Sequence, residues 1–251
     1  MGASGSAAPD WYDASAYTYL LRADRASFAW EWLRRLPDYR SAVMLKSTPS
    51  ALFGLCCFED PSLSALESRP IWHGDLDRSV LRAHVRSNGA GGMFDIASLK
   101  QWTTVHVDGD GEHWRIGQGL RSLRLDIVGG TLSAGPVHLD YRIGGLTEAI
   151  APVITLRRFL ALACHRHWPA KLFPSEARAG RWITMLRVHD ALAAGASQRE
   201  IAVHLFGDAI IGPQWRTTAP SYRLRIQRLV AGANKMTAGA WRSFLDPGFA
   251  I

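Results

Sequence analysis

The segment GASQREIAVHLFG, from Gly195 to Gly207, carries the signals of a short helix that is entered through a tight corner. Ser197 and Glu200 form the pattern S-x-x-E, in which the serine hydroxyl caps one free backbone amide and the glutamate caps another. Ile201 and Leu205 lie four residues apart on one face of this helix, and Gly207 ends it. Packing alone is one interpretation of the segment, and the supporting helix of a DNA-reading unit is the other.

The residues before this corner predict the first helix of the unit. The stretch RWITMLRVHDALAA, from Arg181 to Ala194, places Trp182, Leu186, His189 and Leu192 near one face. Gly195 follows where a left-handed cap would end such a helix. Two helices joined by a corner of two or three residues are the beginning of a helix-turn-helix.

A third helix is predicted from Pro220, after the longer connection DAIIGPQWRTTA. Its apolar stripe begins at Tyr222 and ends at Ala233, and Ser221, Arg225 and Arg228 line up about a quarter-turn away. Arginine suits phosphates and guanine edges, so this side predicts contact with DNA; the alternative is a solvated helix that uses arginine. The candidate DNA-binding residues are Gln198, Arg199, Arg216, Ser221, Arg223, Arg225 and Arg228.

The distribution of charge supports a polyanionic partner. Residues 151–251 hold 14 lysine and arginine residues against 5 aspartate and glutamate residues, whereas residues 1–150 hold 15 against 17. The basic excess therefore lies entirely in the C-terminal part, and 12 of its 14 cationic side chains are arginines. Double-stranded DNA is the partner that this asymmetry favours over an ordinary solvated surface.

The residue patterns in the rest of the chain predict helices followed by strands, so the predicted fold class is α+β. Helical spacing runs from Ser15 to Leu36, where Pro37 stops it. The runs TTVHV, EHWRIG, SLRLDIV and VHLDYRI, within residues 71–145, predict a small antiparallel β-sheet of four to six strands. An all-helical region follows. The predicted organisation is a disordered tail over 1–9, a helical and β-sheet domain over 10–150, and a helix-turn-helix domain over 151–251.

Two stretches resemble known bacterial families. PDWYDASAYTYLLRADRASFAWEWLRRLPDYR resembles a transcriptional-regulator-like domain with the signature A-W-E-[FW]-L-R-R-x-P-x-Y, here Ala29 to Tyr39. The region from about Arg157 to Leu245 resembles the RovC-type DNA-binding domain, with its helix-turn-helix, its LFG and its arginine-rich following helix. The resemblance implies a bacterial transcription factor, typically an activator of secretion-system or mobile-element transfer genes.

Trp30 and Trp32 belong to the first of these motifs. They lie about 200° apart on a helix, so they cannot share a face. One is expected in the core and the other at an interdomain or oligomer surface, with a wholly hydrophobic core as the alternative. Because DNA-binding regulators commonly match symmetric half-sites, a homo-oligomer of unspecified order is expected.

No catalytic, cofactor or metal site is predicted. DGDGEH, from Asp108 to His113, has carboxylates spaced as in a calcium loop but lacks the glutamate at position twelve, which favours a hairpin turn. CHRHW, from Cys164 to Trp168, offers zinc ligands that a helix would point apart. Three cysteines without C-x-x-C spacing favour a reducing, cytoplasmic compartment, and no apolar run is long enough to span a membrane.

The sequence leaves three classes of function open. The favoured hypothesis is a sequence-specific transcriptional regulator, to which RNA polymerase or another regulator could be a partner. A protein-interaction module resembling an antiactivator, which docks another regulator without reading DNA, is the alternative. A nucleic-acid enzyme that borrows the helix-turn-helix for targeting is a third and weaker hypothesis, and nothing in the sequence points to its active site.

Overall fold

The computed structural model describes residues 9–86, 92–211 and 220–246. Five strands and seven α-helices alternate with short 3-10 helices in the described part. The N-terminal elements are α1 (Arg25–Leu33) and α2 (Pro37–Leu45), and the strands are β1 (Leu81–Arg86), β2 (Thr103–Asp108), β3 (Gly111–Gln118), β4 (Arg121–Ile127) and β5 (His138–Arg142). The C-terminal elements are α3 (Ile150–His165), α4 (Ala179–Ala193), α5 (Gln198–Phe206), α6 (Asp208–Ile211) and α7 (Pro220–Thr237). The 3-10 helices are Ala14–Arg22, Ser50–Phe53, Ile96–Trp102, Ala170–Leu172 and Ala240–Phe244.

The N-terminal helical region is divided by a cap. The carboxylate of Asp24 accepts a hydrogen bond from the backbone N–H of Ser27 and starts α1 after the first 3-10 helix has ended. Pro37 occupies the first turn of α2, where its missing N–H costs nothing. The proline therefore opens a new helix as well as ending the helical run before it.

The sheet has five strands in the order β2-β3-β4-β1-β5, and it is mixed, so the prediction of an antiparallel sheet was wrong. β1 pairs with β4 in parallel, with Leu81 opposite Leu125, while the other three pairings are antiparallel. The chain leaves β1, reaches the far edge as β2 and returns through two hairpins. β4 consequently arrives beside β1 running in the same direction. All four sequence runs expected as strands are strands; β1 was not among them.

Buried apolar side chains form three clusters. The sheet cluster packs Leu81, Leu125 and Trp114 against Phe159 and Leu162 of α3. The second cluster joins the N-terminal helices to α4, α7 and the last 3-10 helix, and its members include Phe28, Trp30, Trp32, Trp182, Trp241 and Phe244. The third cluster lies between α4, α5 and α7. The two ends of the chain therefore share a core, although the division into domains near residue 150 stays a prediction.

No helix in the described ranges is both long enough and apolar enough to cross a membrane.

Candidate nucleic-acid interface

The corner between α4 and α5 is built as its sequence predicts. Gly195 has a φ of 85°, and the N–H groups of Gly195 and Ala196 donate to the carbonyls of Leu192 and Ala191 at 3.0 and 2.9 Å. These two hydrogen bonds close the C-terminal end of α4, where the chain turns. At the start of α5, the N–H of Glu200 donates to the Ser197 hydroxyl at 3.2 Å, and the Glu200 carboxylate accepts from the Ser197 N–H at 2.7 Å. The predicted capping box is therefore present.

Three helices hold this corner against one apolar cluster. Val188 and Ala191 of α4, Ile201 and Ala202 of α5, and Ile226 of α7 are all buried within it. Ala202 is fully buried, which lets the helices approach closely. The remaining buried member, Trp11, comes from the N-terminal segment. The cluster between α4, α5 and α7 is thus completed by a residue that lies far from these helices in sequence.

The side of α7 turned away from this cluster presents basic side chains to solvent. Ser221, Arg225 and Arg228 are exposed, as their predicted position on the helix requires. The Arg225 guanidinium lies 4.8 Å from the centre of the Phe206 ring, a cation-π distance that holds it beside the C-terminal end of α5. Lys235, seven residues after Arg228, extends the same exposed face. Lys235 is not among the residues predicted from the sequence, although its i, i+7 spacing from Arg228 identifies it.

Arg223 has a different environment from the other arginines of α7. It is half-buried, and its Nε is buried without a hydrogen-bond partner among the residues described. Its position on the other side of the apolar stripe accounts for this burial. A contact with DNA through Arg223 would therefore involve only the outer end of its guanidinium.

The remaining predicted residues surround the same corner. Gln198 is half-buried and Arg199 is exposed, both in the first turn of α5. Arg216 lies outside the described residues. The structure therefore places the predicted residues on two helices, α5 and α7, that pack around one apolar cluster, and their role in binding DNA stays a prediction.

Buried charges connect this unit to the N-terminal helices. Asp190 of α4 accepts two hydrogen bonds from Arg35, at 2.7 and 2.9 Å, and one from the Tyr17 hydroxyl at 2.6 Å. Arg35 and Arg34 both pair with the Glu31 carboxylate, at 2.5 and 2.8 Å. Both carboxylates and both guanidinium groups are buried. The arginines of the N-terminal motif are thus structural ion-pair partners, as their helical spacing to Glu31 predicts, and they do not face solvent.

Trp30 and Trp32 are both fully buried in α1. The Trp30 indole N–H donates to the Leu63 carbonyl at 3.0 Å, so this side chain belongs to the N-terminal core. The Trp32 ring lies 5.5 Å from the His189 ring of α4. Trp32 therefore faces the C-terminal helices, and neither tryptophan offers a surface to another subunit in this conformation.

The sequence motifs considered for metals have other roles in the structure. Asp108 and Gly111 are paired across the hairpin between β2 and β3, as predicted for DGDGEH. The Asp108 carboxylate lies 3.0 Å from Nε2 of His113, whose Nδ1 is 3.0 Å from Asp126, and these two partners raise the pKa of His113. Within the described part, no three His, Cys, Asp or Glu side chains are grouped to hold a metal ion.

Two segments of the chain, one near each end, match models of known protein families. Residues 146–246 match the family model described as T6SS, transcription factor, DNA binding domain, of the RovC type. Residues 10–50 match the model of the proteobacterial transcriptional regulator-like domain. A search of curated proteins gave no match to the chain. The two resemblances noted in the sequence are therefore confirmed in the predicted order, and they support a transcriptional regulator with a DNA-binding domain.

Proposed function

We propose that this protein is a sequence-specific transcriptional regulator that binds double-stranded DNA through the exposed face of α7 and the first turn of α5. The observation that carries the proposal is the exposure of Arg225 and Arg228 on α7, the helix that packs with α4 and α5 around one apolar cluster. The match of residues 146–246 to a DNA-binding family supports the same region.

Most of the affinity is expected to come from phosphate contacts. Exposed guanidinium groups neutralise phosphates and release counterions, so binding of this kind weakens steeply as salt concentration rises. The C-terminal part of the chain supplies the charge for such contacts, with 14 basic against 5 acidic residues in 151–251. The proposed contact residues are Gln198, Arg199, Arg216, Ser221, Arg223, Arg225 and Arg228.

Sequence discrimination requires a second kind of contact. An arginine in the major groove donates two hydrogen bonds to O6 and N7 of one guanine, and few side chains match that geometry. Arg225 is the best placed for this role, because its stacking on Phe206 at 4.8 Å restricts the guanidinium. Ser221, on the same face, would contact either a base or a phosphate.

The regulatory direction and the targets form the finer part of the proposal. The chain is proposed to activate secretion-system or mobile-element transfer genes, since the family description of residues 146–246 names the T6SS. Activation would require contact with RNA polymerase or with another regulator. Transcription from the candidate promoter with and without the protein measures the direction of this effect.

The experiment is a fluorescence anisotropy titration with DNA from upstream of the protein's own gene cluster, repeated across salt concentrations. Wild type is expected to bind this fragment at least about a hundredfold more tightly than scrambled DNA. The variant Arg225→Ala/Arg228→Ala should lose a few kcal/mol and show a salt slope shallower by about two. Arg82→Ala/Arg86→Ala, which removes two exposed arginines from β1, is the matched control for net charge.

Other results of this titration would contradict the proposal. Equal affinity for the native and scrambled fragments, unchanged in the α7 variant, would indicate the protein-interaction module instead. An equal loss in the α7 and β1 variants would mean that net charge, and not the α7 face, determines the affinity. Turnover of the DNA in the presence of a metal ion would point to a nucleic-acid enzyme.

A homo-oligomer is also proposed, with α3 as its contact surface. Four apolar side chains of α3 are exposed although the helix packs on the sheet: Ile150, Val153, Ile154 and Leu160. A second copy of the chain would cover them and would present a second DNA-reading corner, as symmetric half-sites demand. The molar mass measured by light scattering tests this, since a monomer at all concentrations would contradict it.

A further inference from the structure

A small polar cavity lies where the start of α1 meets the sheet and α3. Its volume is about 50 Å³, and its charged or hydroxylic lining includes Asp24, Ser68, Asp77, Arg115, Arg124 and Arg158. A site needs at least roughly 10 to 15 Å³ to hold one water-sized group, so the cavity is large enough to admit a small polar group. It does not belong to the proposed DNA-binding face.

Arg115, on β3, is a buried cation without a partner. Only 7% of the residue is exposed, and among the residues described no carboxylate and no hydrogen-bond acceptor reaches its guanidinium. Burial lowers the pKa of Arg115 to about 10, so the group remains charged at neutral pH. Arg124, which also lines the cavity, is satisfied by Asp126 at 2.9 Å and by the Trp72 carbonyl. Within the described part of the chain, Arg115 therefore has no ion pair or hydrogen bond of its own, and only the more distant charges of Asp24 and Glu59 favour its charged form.

Asp77 is a buried carboxylate without a cationic partner in the described structure. It is 4% exposed, and its Oδ1 accepts from the N–H and the hydroxyl of Ser79 at 2.9 and 2.7 Å. No lysine, arginine or histidine lies within ion-pair distance of it among the described residues, and burial raises its pKa. The Oγ of Ser68, in the same wall, is buried without a hydrogen-bond partner. Three polar groups of the lining are thus incompletely satisfied.

Two other charged groups of the lining, like Asp77, have hydrogen bonds to neutral partners and no ion pair to any described residue. Asp24 caps α1 by accepting from Ser27, and Arg158 donates to the Leu172 carbonyl at 2.8 Å while lying over the Phe173 ring. Arg115 and Asp77 do not pair with each other, although both line the cavity. A bound molecule that carries one negative and one positive group would compensate both of them.

A wider cleft adjoins the cavity and opens to solvent. Its volume is about 360 Å³, and it shares Asp24, Asp77 and Arg158 with the wall of the cavity. Ile154 and Phe244 supply apolar surface along it, and the ion pair between Arg25 and Glu176, at 2.9 Å, lies at its edge. A molecule whose charged end fills the cavity would therefore have room for a side chain in the cleft.

We propose that this cavity binds the head group of a free amino acid, with the carboxylate on Arg115 and the ammonium group on Asp77. The cavity and the adjoining cleft together have room for the five heavy atoms of such a head group, and Arg115 and Asp77 match its two charges. A lone anion would leave Asp77 uncompensated, and a lone cation would leave Arg115 uncompensated. The site is separate from the DNA-reading corner, so it would make the protein a sensor as well as a DNA-binding protein.

The test measures ligand binding without DNA, so its result is independent of the proposed regulatory function. Isothermal titration and thermal shift are recorded with each standard amino acid, and acetate and methylammonium serve as probes that carry only one of the two charges. At least one amino acid is expected to bind saturably, while neither single-charge probe does. Arg115→Gln and Asp77→Asn should each weaken binding at least about tenfold, since each removes one charge-assisted hydrogen-bond partner.

Arg82→Gln, the same change at an exposed arginine of the same sheet, is the matched control and should bind as wild type does. Asp77→Asn keeps an oxygen for Ser79, so it tests the charge even if Arg115→Gln does not fold. Acetate binding as tightly as any amino acid would overturn the proposal, because an anion alone would then suffice. So would binding unchanged in Asp77→Asn, or no response to any amino acid, which would leave a cavity occupied by water.

Discussion

Asp190 is the residue through which the DNA-binding unit and the N-terminal motif are most directly joined. Its two oxygens accept from Arg35 and Tyr17, which come from opposite ends of the N-terminal helical region. Without this carboxylate, Arg35 and Arg34 would share only Glu31 while remaining buried. A buried ion that loses its partner is far more costly than an exposed one.

Asp190→Ala is therefore expected to lower the free energy of unfolding by about 3 to 5 kcal/mol. Urea denaturation followed by tryptophan fluorescence measures the loss. The control is Asp140→Ala, which breaks the exposed ion pair with Arg86 and should cost less than about 1 kcal/mol. Equal losses of unfolding free energy in the two variants would show that the buried network stabilises the fold no more than an exposed ion pair does.

The pKa of the Glu31 carboxyl indicates how the stability of this ion-pair network depends on pH. Burial alone would raise its pKa, but the charges of Arg35 and Arg34 and their hydrogen bonds lower the pKa from 4.5 to about 2. A pKa that is lower in the folded state means that the carboxylate stabilises the fold fully above pH 4.5, and that this contribution disappears as the pH falls towards 2.

The stability difference between wild type and Glu31→Gln should accordingly be constant at neutral pH and shrink below pH 4.5. Unfolding curves recorded over a series of pH values measure it. A difference that does not change down to the lowest pH would mean that the carboxyl is not held in its ionised form by the arginines.

At the scale of single elements, the corner between α4 and α5 depends on the backbone of Gly195. Its φ of 85° lies in the left-handed region, and a Cβ added there would meet no atom within 4 Å. Any cost of substitution therefore reflects backbone conformation and not a steric clash. Gly180, at the start of α4, also has open space around it but has no positive φ.

Gly195→Ala should lower the unfolding free energy by about 1 to 2 kcal/mol, whereas Gly180→Ala should leave it unchanged or raise it by up to about 1 kcal/mol. Thermal denaturation of the two variants side by side measures this opposite response. A stabilised Gly195→Ala would show that the corner does not need a left-handed residue.

Elements specified by nearby residues were the ones that the sequence could predict. The capping box at Ser197, the glycine that ends α4 and the arginine face of α7 each arise from residues within two turns of one another. The parallel pairing of β1 with β4 was missed because alternation identifies a strand but not its neighbour. The burial of Trp11 between α4, α5 and α7, and the burial of Arg115 without an ion pair in the described structure, depend on contacts between distant segments, which the periodicity of a sequence cannot reveal.

At the scale of the whole molecule, the C-terminal helices share their core with the N-terminal ones. The Trp182 ring lies 5.0 Å from Phe28 of α1 and 4.5 Å from Phe244. If the fragment 146–246 were made alone, Trp182 would lose α1 and Asp190 would lose Arg35. The fragment is therefore expected to show a weak near-UV circular dichroism signal and no cooperative thermal transition.

Near-UV spectra and melting curves of the fragment and of the full chain measure this dependence. A cooperative transition with a native-like spectrum would instead establish an independent domain, as the predicted boundary near residue 150 requires. Adding the separate N-terminal segment 9–50 to the fragment provides the control, because restored ellipticity would identify the missing core as the cause.

The hydrogen bond between Tyr17 and Asp190 also has a consequence for the order of events during protein synthesis. Its two residues are separated by 173 positions. The cluster around Phe28 becomes complete only after Trp241 and Phe244 have been synthesised. The first helices to leave the ribosome must therefore wait for nearly the entire chain before their apolar faces are covered. A chain interrupted during translation would lack Trp241 and Phe244, so the apolar core that joins α1 to α4 and α7 would stay incomplete.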